Sequence, residues 1–507
     1  MKLSELLGEH AAEISAEMGS VEITALATDS RKVKEGALFF ALPGVERNGN
    51  QFISAAIANG ARGIVYSEPV EKEFGVTYLQ VDDVQEVLTS MANRFYRNPS
   101  QSLRMYGVTG TNGKSTTACV IEDLLCTKEP PVPCGYSGTI AIRYGSVTIE
   151  PELTTPDLLT VQSVLRDMVD SGMQAAAMEV SSHALAQHRV DGIDFDAAIF
   201  TNLTHDHLDY HKTMEAYLQA KAILFQSMKE TGLCVLNRDD PVFEELASKA
   251  RGRVVSYGMS EEADYRILDP VLEPSRSLFT LEVSVDGQSR PAKPQSYRIE
   301  TNLVAEFNLY NLVGAIAALH GTGTPIEALL PRIRQIRQVS GRMEVIENDC
   351  GINMLVDYAH TPDGYEKLFA FINRVREPNQ RVLAIFGSAG RRDKTKRPIM
   401  GRLAAAECAH LYLTEEDNRD LETPEQIARE IQGDLPDEQV SIIPDRYEAI
   451  VRAIDDAKPG DIVLLLGKGD EVFLDRAAGS EPWMGDNEAA RRALQARAER
   501  EKKDRMR

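Results

Sequence analysis

The chain has 507 residues, which is enough for about three domains of ordinary size. Its 77 acidic residues outnumber its 56 basic ones, and the formal charge of −21 excludes a broad surface for nucleic acid or an anionic membrane. No apolar run approaches the roughly 18 residues of a membrane span. The acidic N-terminal segment does not resemble a signal peptide, and the six cysteines lack metal-ligand spacing. We therefore expect a cytoplasmic, multidomain monomer that acts on small molecules.

The first hundred residues alternate short apolar strands with helical segments. Residues 37–42 have the pattern of a buried strand, and residues 84–96 have the i, i+3, i+4 spacing of an amphipathic helix. Residues 97–100 interrupt this pattern, and the interruption predicts an N-terminal domain over 1–101.

A second α/β block begins near residue 105 with a strand, a glycine-rich loop and a helix. The apolar strands 175–180 and 197–201 each end in a polar loop, as in a doubly wound sheet that binds ligands at its carboxyl edge. Residues 260–300 alternate polar and apolar positions and predict an antiparallel insertion. The pattern places a central domain over 102–338.

Strands and helices alternate again from about residue 340. Residues 352–358, 381–386, 410–414 and 461–466 are strand-like, with helical patterns between them. This block predicts a Rossmann-like C-terminal domain over 339–507, which ends in a basic, solvated helix.

The strongest local motif is a phosphate loop between a predicted strand and a predicted helix. Glycines let backbone N–H groups point at phosphate, and the helix N-terminus adds partial positive charge. Lys114 would reach the β- and γ-phosphates and Ser115 a magnesium ion, although Val108 breaks the strict spacing of the motif. The predicted phosphate-binding residues are Gly110, Thr111, Asn112, Gly113, Lys114, Ser115 and Thr116.

A second group of polar residues follows the predicted strand 175–180. Glu179 lies at its carboxyl end, where an oxygen ligand for magnesium is expected beside a phosphate loop, although a lone glutamate can equally cap a helix or pair with a base. Arg189 could bind a carboxylate or phosphate through two parallel hydrogen bonds.

Residues 205–211 contain three histidines and two aspartates and admit two metal-binding interpretations. A dinuclear zinc hydrolase would need His-x-His-x-Asp-His, but Tyr210 occupies the last histidine position and the phosphate loop would have no use. The alternative is one histidine that assists a magnesium site built mainly from oxygens. Lys221 follows among apolar residues, where burial would lower its pKa and make the amine reactive, unless it reaches solvent from the helix edge.

Several motifs occur in one order along the chain: TGTNGKST, MEVSSHALAQHRV, FTNLTHDHLDYH, the lysine of YLQAKAILF, FNLYN, SGRMEV and DYAHTPDGYE. Together they resemble the Mur ligases, most closely the MurE type, which join a diamino acid to a UDP-N-acetylmuramoyl-dipeptide. The resemblance extends from residues 28–31 to residues 467–471, whereas GTNGK[ST] alone would also fit folylpolyglutamate synthase. It implies a UDP-substrate domain, a central ATPase domain and an amino-acid domain.

The resemblance also implies a role for each matching residue. Lys114, Glu179, His207 and Lys221 would be catalytic; the phosphate loop would bind ATP, and Glu179 and His207 would hold magnesium. Lys221 would be carbamylated by carbon dioxide and hold a second magnesium ion. The implied nucleotide contacts are Asn308, Arg342 and Asp357, and the implied contacts with the UDP-linked substrate are Ser30, Thr154, Thr155, Ser181, Gln187 and Arg189.

The implied reaction belongs to cytoplasmic peptidoglycan precursor synthesis. A substrate carboxylate attacks the γ-phosphate of ATP and forms an acyl phosphate and ADP. The amine of the incoming amino acid then displaces phosphate, so positioning and electrostatics suffice without a protein nucleophile.

The incoming amino acid depends on one motif of the C-terminal domain. Family members that add meso-diaminopimelate carry Asp-Asn-Pro-Arg, which corresponds here to Asp417, Asn418, Arg419 and Asp420. Asp420 in the arginine position would repel a distal carboxylate and suit a lone ammonium, which favours lysine or a similar diamino acid. Two alternatives stay open: a one-residue shift brings Arg419 into that position, and Asp420 could cap a helix.

The remaining matched substrate positions are Arg392, Gly467 and Glu471. Arg392 would hold the α-carboxylate and Glu471 an ammonium group. Other functions stay open: another Mur-type or folylpolyglutamate-type amide ligase, a metallohydrolase that works without ATP, and a nucleotide-binding regulatory protein that has lost turnover.

Overall fold

The computed structural model describes residues 1–8, 15–44, 48–285, 293–391, 393–419, 422–476 and 479–505. The chain forms two compact units. Unit 1 contains Met1–Tyr106 and Val132–Asp196, and unit 2 contains Gly107–Pro131 and Ala197–Arg507. The predicted domain boundaries at 101/102 and 338/339 stay predictions.

The strands of the described residues are β1 (Ala25–Ala27), β2 (Ala37–Phe40), β3 (Ala61–Tyr66), β4 (Thr77–Gln80), β5 (Arg104–Thr109), β6 (Cys134–Ser137), β7 (Ile142–Tyr144), β8 (Val147–Ile149), β9 (Ala175–Glu179), β10 (Ala197–Phe200), β11 (Leu233–Asn237), β12 (Arg253–Gly258), β13 (Tyr265–Leu272), β14 (Ser277–Val283), β15 (Gln295–Thr301), β16 (Glu344–Ile346), β17 (Asn353–Asp357), β18 (Val382–Phe386), β19 (His410–Leu413), β20 (Val440–Ile442), β21 (Ile462–Leu466), β22 (Phe473–Arg476) and β23 (Gly479–Pro482).

The α-helices of the described residues are α1 (Leu3–Leu7), α2 (Ala16–Gly19), α3 (Ile53–Ala58), α4 (Val84–Phe95), α5 (Lys114–Thr127), α6 (Leu158–Asp170), α7 (Ser182–Ala186), α8 (Leu208–His211), α9 (Met214–Gln226), α10 (Phe243–Lys249), α11 (Glu306–Gly321), α12 (Ile326–Ile333), α13 (Pro362–Val375), α14 (Lys396–Glu407), α15 (Pro424–Gln432), α16 (Arg446–Asp456) and α17 (Asp486–Arg505). None of them is both long enough and apolar enough to cross a bilayer.

Unit 1 contains a four-stranded parallel sheet in the order β1-β2-β3-β4. Helix α4 packs its apolar face on this sheet through Leu88 and Met91, and it begins where the Asp83 carboxylate accepts the N–H groups of Gln85 and Glu86. The same unit pairs β6 with β9 in parallel and extends β6 with the antiparallel strands β7 and β8. The strands and the helix predicted for the first hundred residues are confirmed to within two residues.

Unit 2 contains the parallel strands β10-β11-β12-β13, followed by the antiparallel strands β14 and β15. The antiparallel segment predicted near residues 260–300 is thereby confirmed for its described part. Helix α11 is buried over most of its length and lies against β10, β11, β12 and β13, while Glu306 at its start is exposed.

The C-terminal sheet of unit 2 has the order β16-β17-β21-β18-β19-β20 and is parallel except at β16. One face is covered by α13, α14 and α15 and the other by α16 and α17, so the predicted α/β, doubly wound fold class is confirmed. Helix α17 departs from the prediction of a solvated terminal helix. Its Ala490 and Leu494 are buried against the sheet because small and apolar residues recur there at helical spacing.

Candidate active site

The phosphate loop of unit 2 connects β5 to the N-terminus of α5. Its backbone is fixed by residues that follow β10: the Thr111 N–H donates to the Asn202 carbonyl at 2.8 Å, and the Asn112 N–H donates to Asn202 Oδ1 at 3.0 Å. Lys114 Nζ donates to the Gly110 and Thr111 carbonyls at 3.0 and 2.9 Å. Ser115 and Thr116 are buried in the first turn of α5, as the sequence analysis expected for a phosphate loop.

Two glycines of the loop are required by both conformation and space. Gly110 and Gly113 have φ values of 150° and 87°. A Cβ at Gly110 would lie 1.9 Å from Thr201 Oγ1, and one at Gly113 would lie 2.2 Å from Asn311 Oδ1. The loop can therefore close onto β10 and α11 only with glycine at these positions.

Lys221 is directly beside this loop. Its side chain is only 1% exposed, and Nζ donates to the Gly110 carbonyl at 2.8 Å and lies 4.3 Å from the centre of the Tyr217 ring. Burial, reinforced by the charge of Lys114, holds the pKa of Lys221 well below its ordinary value. Lys221 therefore does not reach solvent from the helix edge, and its surroundings disfavour the charged form of its amine.

His207 lies at the N-terminus of the short helix α8. Its φ is 54°, and its Nε2 lies 3.4 Å from the Asp206 carboxylate. Burial lowers the pKa of His207 to about 4, despite the opposing effect of Asp206. The imidazole is therefore neutral at neutral pH, which is the form that binds a metal ion.

A cavity of about 640 Å³ adjoins the phosphate loop, and its size falls in the range of small-molecule sites. We call it the larger cavity; its lining includes Asn202, Phe307, Tyr310, Lys367, Phe371 and Arg374. Asn308, whose role as a nucleotide contact stays a prediction, is 2% exposed, donates to the Val304 carbonyl and accepts from Asn311 Nδ2. Asn308 therefore orients the side chain of Asn311, which lines the cavity.

A second cavity of about 160 Å³, here called the smaller cavity, lies where loops after β17, β19 and β21 meet residues 205–209. Two of its lining carboxylates pair with Lys468, which is fully buried: the ammonium donates to Asp417 Oδ1 at 2.8 Å and lies 2.5 Å from Glu471 Oε2. Burial opposes the charge of Lys468, but the Glu471 and Asp417 carboxylates outweigh it and raise the pKa of the ammonium. Tyr358 completes the group by donating to Glu471 Oε1 at 3.0 Å.

Arg342 and Asp357, the other predicted nucleotide contacts, fix the backbone beside the smaller cavity. Arg342 stacks on the Tyr358 ring at 4.1 Å and pairs with Asp470 at 2.9 Å. Asp357 accepts the N–H groups of Met343 and Ala359, and burial raises the pKa of its carboxyl.

The structure brings together some of the residues that were predicted to bind the incoming amino acid. Asp417, Arg419, Gly467 and Glu471 line the smaller cavity, and the Arg419 guanidinium lies 3.3 Å from Asp475 and 3.4 Å from Asp417. Asn418 is half-buried next to them, where its carbonyl would lie 2.1 Å from a Cβ at position 390. Arg392 and Asp420 lie outside the described residues.

Unit 1 contains the predicted residue Glu179 at the end of β9. Glu179 Oε1 accepts the Tyr136 hydroxyl at 2.7 Å and the Thr139 N–H at 2.8 Å, and Oε2 accepts the Thr139 hydroxyl at 3.3 Å. Gly138 leaves the room for this carboxylate, since a Cβ there would lie 2.2 Å from Oε1. The carboxylate is thus held in one orientation by groups that the sequence did not reveal.

The residues of unit 1 that were predicted to bind the UDP-linked substrate are joined by hydrogen bonds, except for Ser30, which lies elsewhere in the unit. The Thr155 hydroxyl donates to the Glu179 carbonyl and accepts the Ser181 N–H, while Arg189 donates to the Thr155 carbonyl at 2.9 Å and to Gln187 at 2.6 Å. Thr154 accepts the Thr139 hydroxyl at 3.1 Å. Ser30 lies in the short turn after β1, where its carbonyl accepts Asn59 Nδ2.

Sequence reasoning missed several residues of the smaller cavity, above all His360, Lys396 and Glu416. His360 Nδ1–H donates to the Tyr358 carbonyl at 2.8 Å, and Lys396 Nζ donates to the His360 carbonyl at 2.8 Å. His360 belongs to DYAHTPDGYE, and that motif was the one available signal for it.

The free energy of unfolding is expected to decrease as the pH falls from about 6.5 to about 4, because burial lowers the pKa of His360 to about 4. In this window the unfolded chain binds a proton at this histidine and the folded chain does not, so acid favours unfolding. Urea unfolding at several pH values measures the slope. His360→Gln is expected to flatten it, and an unchanged slope would contradict the buried, neutral histidine.

Family models match three consecutive segments of the chain. They are the Mur ligase family catalytic domain at residues 22–96, the Mur ligase middle domain at residues 108–319, and the Mur ligase glutamate ligase domain at residues 341–469.

Two relatives are named UDP-N-acetylmuramoyl-L-alanyl-D-glutamate–2,6-diaminopimelate ligase. The protein of Gloeobacter violaceus is 40% identical over an alignment of 508 positions that covers 99% of each chain. The protein of Geobacillus kaustophilus is 37% identical and covers 94% of this chain and 95% of its own. A solved structure with the same title is 31% identical, has a TM-score of 0.68 and covers 98% of this chain and 99% of its own.

A more distant structure, MurF of Thermotoga maritima in complex with ADP, is 20% identical. Its TM-score is 0.62 over 93% of this chain and 98% of that one, which shows a shared fold.

These matches, together with the phosphate loop and the buried Lys221, define an ATP-dependent ligase that forms amide bonds. The chain belongs to the Mur ligase family, whose relatives act in peptidoglycan synthesis. The ligase class predicted from the motifs is therefore confirmed over the metallohydrolase interpretation.

Proposed function

We propose that the protein joins 2,6-diaminopimelate to the glutamate carboxyl of UDP-N-acetylmuramoyl-L-alanyl-D-glutamate, with ATP as the energy source. The observation that carries this proposal is the smaller cavity, whose lining combines the carboxylates of Asp417 and Glu471 with the guanidinium of Arg419. The names of the relatives support the same substrates. A cytoplasmic site of action follows from the use of ATP, and the monomeric state stays a prediction.

The reaction proceeds through an acyl phosphate. One oxygen of the glutamate carboxylate attacks the γ-phosphorus, and the bond to the bridging oxygen breaks to release ADP. The amine of the diamino acid then attacks the acyl carbon, loses a proton and expels inorganic phosphate. Lys114 would move from the Gly110 and Thr111 carbonyls to the phosphates and screen their charge, while the loop N–H groups hold the β-phosphate.

The donor chemistry of these residues fits magnesium in each unit taken by itself. Within unit 2, Ser115 and the neutral His207 supply an oxygen and a nitrogen donor; within unit 1, Glu179 offers an oriented carboxylate. Magnesium neutralises phosphate charge and so lowers the barrier to attack.

Lys221 is suited to carbamylation, because the neutral amine is the form that adds to carbon dioxide. The nitrogen lone pair bonds to the carbon, one N–H proton is released, and a carboxylate replaces a group that would otherwise repel cations. The burial of Nζ beside Gly110 would place this carboxylate at the phosphate loop, where a second magnesium ion is expected.

Arg419 decides the choice of amino acid in this proposal. Its guanidinium would pair with the distal carboxylate of diaminopimelate, a group that lysine and ornithine lack. The preference for lysine derived from Asp420 is not confirmed, and it remains the competing hypothesis because Asp420 lies outside the described residues.

The experiment offers equimolar diaminopimelate, lysine and ornithine together with ATP and the nucleotide-linked dipeptide, and identifies the product by mass spectrometry. Diaminopimelate is the expected addition. Arg419→Ala should raise KM for diaminopimelate by about 10- to 100-fold, the effect of a lost charged hydrogen bond, whereas the exposed Arg402→Ala should not. A lysine product that is lost in Asp420→Ala would contradict the proposal.

A further inference from the structure

Glu416 is the one residue of the smaller cavity wall whose side chain has a buried oxygen without a partner among the described residues. The side chain is only 8% exposed, and its Oε2 accepts no hydrogen bond. Buried carboxylate oxygens are normally satisfied, and an unsatisfied one costs free energy that a ligand can recover. Among the residues that the structure describes, none donates a hydrogen bond to Glu416 Oε2.

Three cations act on Glu416. Lys468 bonds to Asp417 and Glu471, Arg446 forms a fully buried pair with Asp486, and Lys396 donates to the His360 carbonyl. Burial and the neighbouring charge of Asp417 raise the pKa of Glu416 against the opposing effect of these three cations. A ligand that brings its own positive charge next to Glu416 would favour the charged carboxylate.

Glu416 is one of the residues that line the smaller cavity, and its Oε2 is buried at this wall. Gly467, with φ of 103°, lies directly against it, and a Cβ at Gly467 would come within 2.8 Å of Oε2. The described lining residues include six carboxylates, on Asp206, Asp209, Asp393, Glu416, Asp417 and Glu471, but only two lysine or arginine side chains, Lys396 and Arg419. The cavity therefore favours a cationic group that donates several hydrogen bonds.

We infer that Glu416 binds the ammonium group of the incoming diamino acid that does not react. This inference rests on the proposed function. It adds the residue that makes the enzyme require an amino acid with a second amine. An ammonium has three hydrogen-bond donors and can supply the one that Glu416 Oε2 does not receive from any described residue. The reacting amine is the less suitable partner, since a carboxylate would stabilise the proton that this amine must lose before it attacks.

Glu415 provides a matched control one residue away. It is also largely buried, but its carboxylate already pairs with Arg476, and it is not among the residues that line the cavity. Glu416→Gln and Glu415→Gln each remove one charge with almost no change in volume. Only Glu416→Gln is expected to raise KM for the amino acid.

The test measures phosphate release with wild type and both variants, using diaminopimelate and 2-aminopimelate, which lacks the second amine. If lysine proves to be the substrate, norleucine replaces 2-aminopimelate. Wild type should strongly prefer the diamino acid. Glu416→Gln should raise KM for the diamino acid by about 10- to 100-fold and leave KM for ATP within about twofold. The variant should also lose most of the wild-type preference for the diamino acid over the analogue with one amine.

Thermal unfolding separates a substrate role from a structural one. Because Glu416→Gln relieves a buried, uncompensated carboxylate, its Tm should equal or exceed that of wild type while its KM increases. An unchanged KM and preference in Glu416→Gln would overturn the inference, as would a lower Tm with higher KM values for both ATP and the amino acid. Absence of turnover in wild type with every amino acid would instead overturn the proposed function itself.

Discussion

Lys221→Ala is expected to lower turnover by about 10³-fold, since the metal-held charge that this residue would supply is worth several kcal/mol. The protein should still fold. Alanine is the best helix former, and the change removes a buried amine that donates a hydrogen bond to the Gly110 carbonyl. Phosphate release measures turnover, and the circular dichroism spectrum verifies the fold.

Rescue by small molecules identifies the missing group. A short carboxylic acid such as formate or acetate should restore part of the activity of Lys221→Ala by occupying the space of the carbamate. Lys229→Ala, beyond the end of the same helix, should retain wild-type activity with or without the acid. Full activity of Lys221→Ala without added acid would refute the carbamate role.

Asp486→Asn is expected to lower the free energy of unfolding by about 3–5 kcal/mol, the cost of leaving one charge of a buried pair without its partner. Asp486 and Arg446 are both completely buried, and Arg446 also donates to the carbonyls of Glu415 and Leu466. The pair therefore connects the N-terminus of α17 to the ends of β19 and β21 beside the smaller cavity. Chemical denaturation monitored by the fluorescence of Trp483, the only tryptophan, measures the effect.

The exposed pair of Arg500 and Asp455 is the control for the second prediction. Asp455→Asn removes the same charge from a pair whose side chains are 54% and 39% exposed, so it should change stability by less than about 1 kcal/mol. Equal effects of the two substitutions would show that the buried pair contributes no more than a surface pair.

The sequence predicted those parts of the fold whose signal is local. Strands such as β18 and β21 are unbroken apolar runs, which mark parallel strands buried on both faces. The phosphate loop was predictable because its glycines, its lysine and the helix that follows are consecutive. The basic pattern of α17 was misleading, since its alanines are small enough to be buried between charged neighbours.

The contacts that orient the site could not be predicted, because they join residues far apart in the chain. Tyr136 and Glu179 are 43 residues apart, and Arg446 and Asp486 are 40 apart. Glu416 lines a cavity, whereas its neighbour Glu415 pairs with Arg476. A single sequence contains no signal that distinguishes these two glutamates. The motif strings predicted the candidate reactive residues but not the groups that hold them.

The most direct test of this account is phosphate release from ATP by the purified protein, with the nucleotide-linked dipeptide and each amino acid in a separate reaction. The account predicts release only when UDP-N-acetylmuramoyl-L-alanyl-D-glutamate and diaminopimelate are both present. Release with ATP alone, or none with any amino acid, would contradict the proposed ligase reaction. Release with lysine but not diaminopimelate would leave the ligase intact and contradict the role given to Arg419.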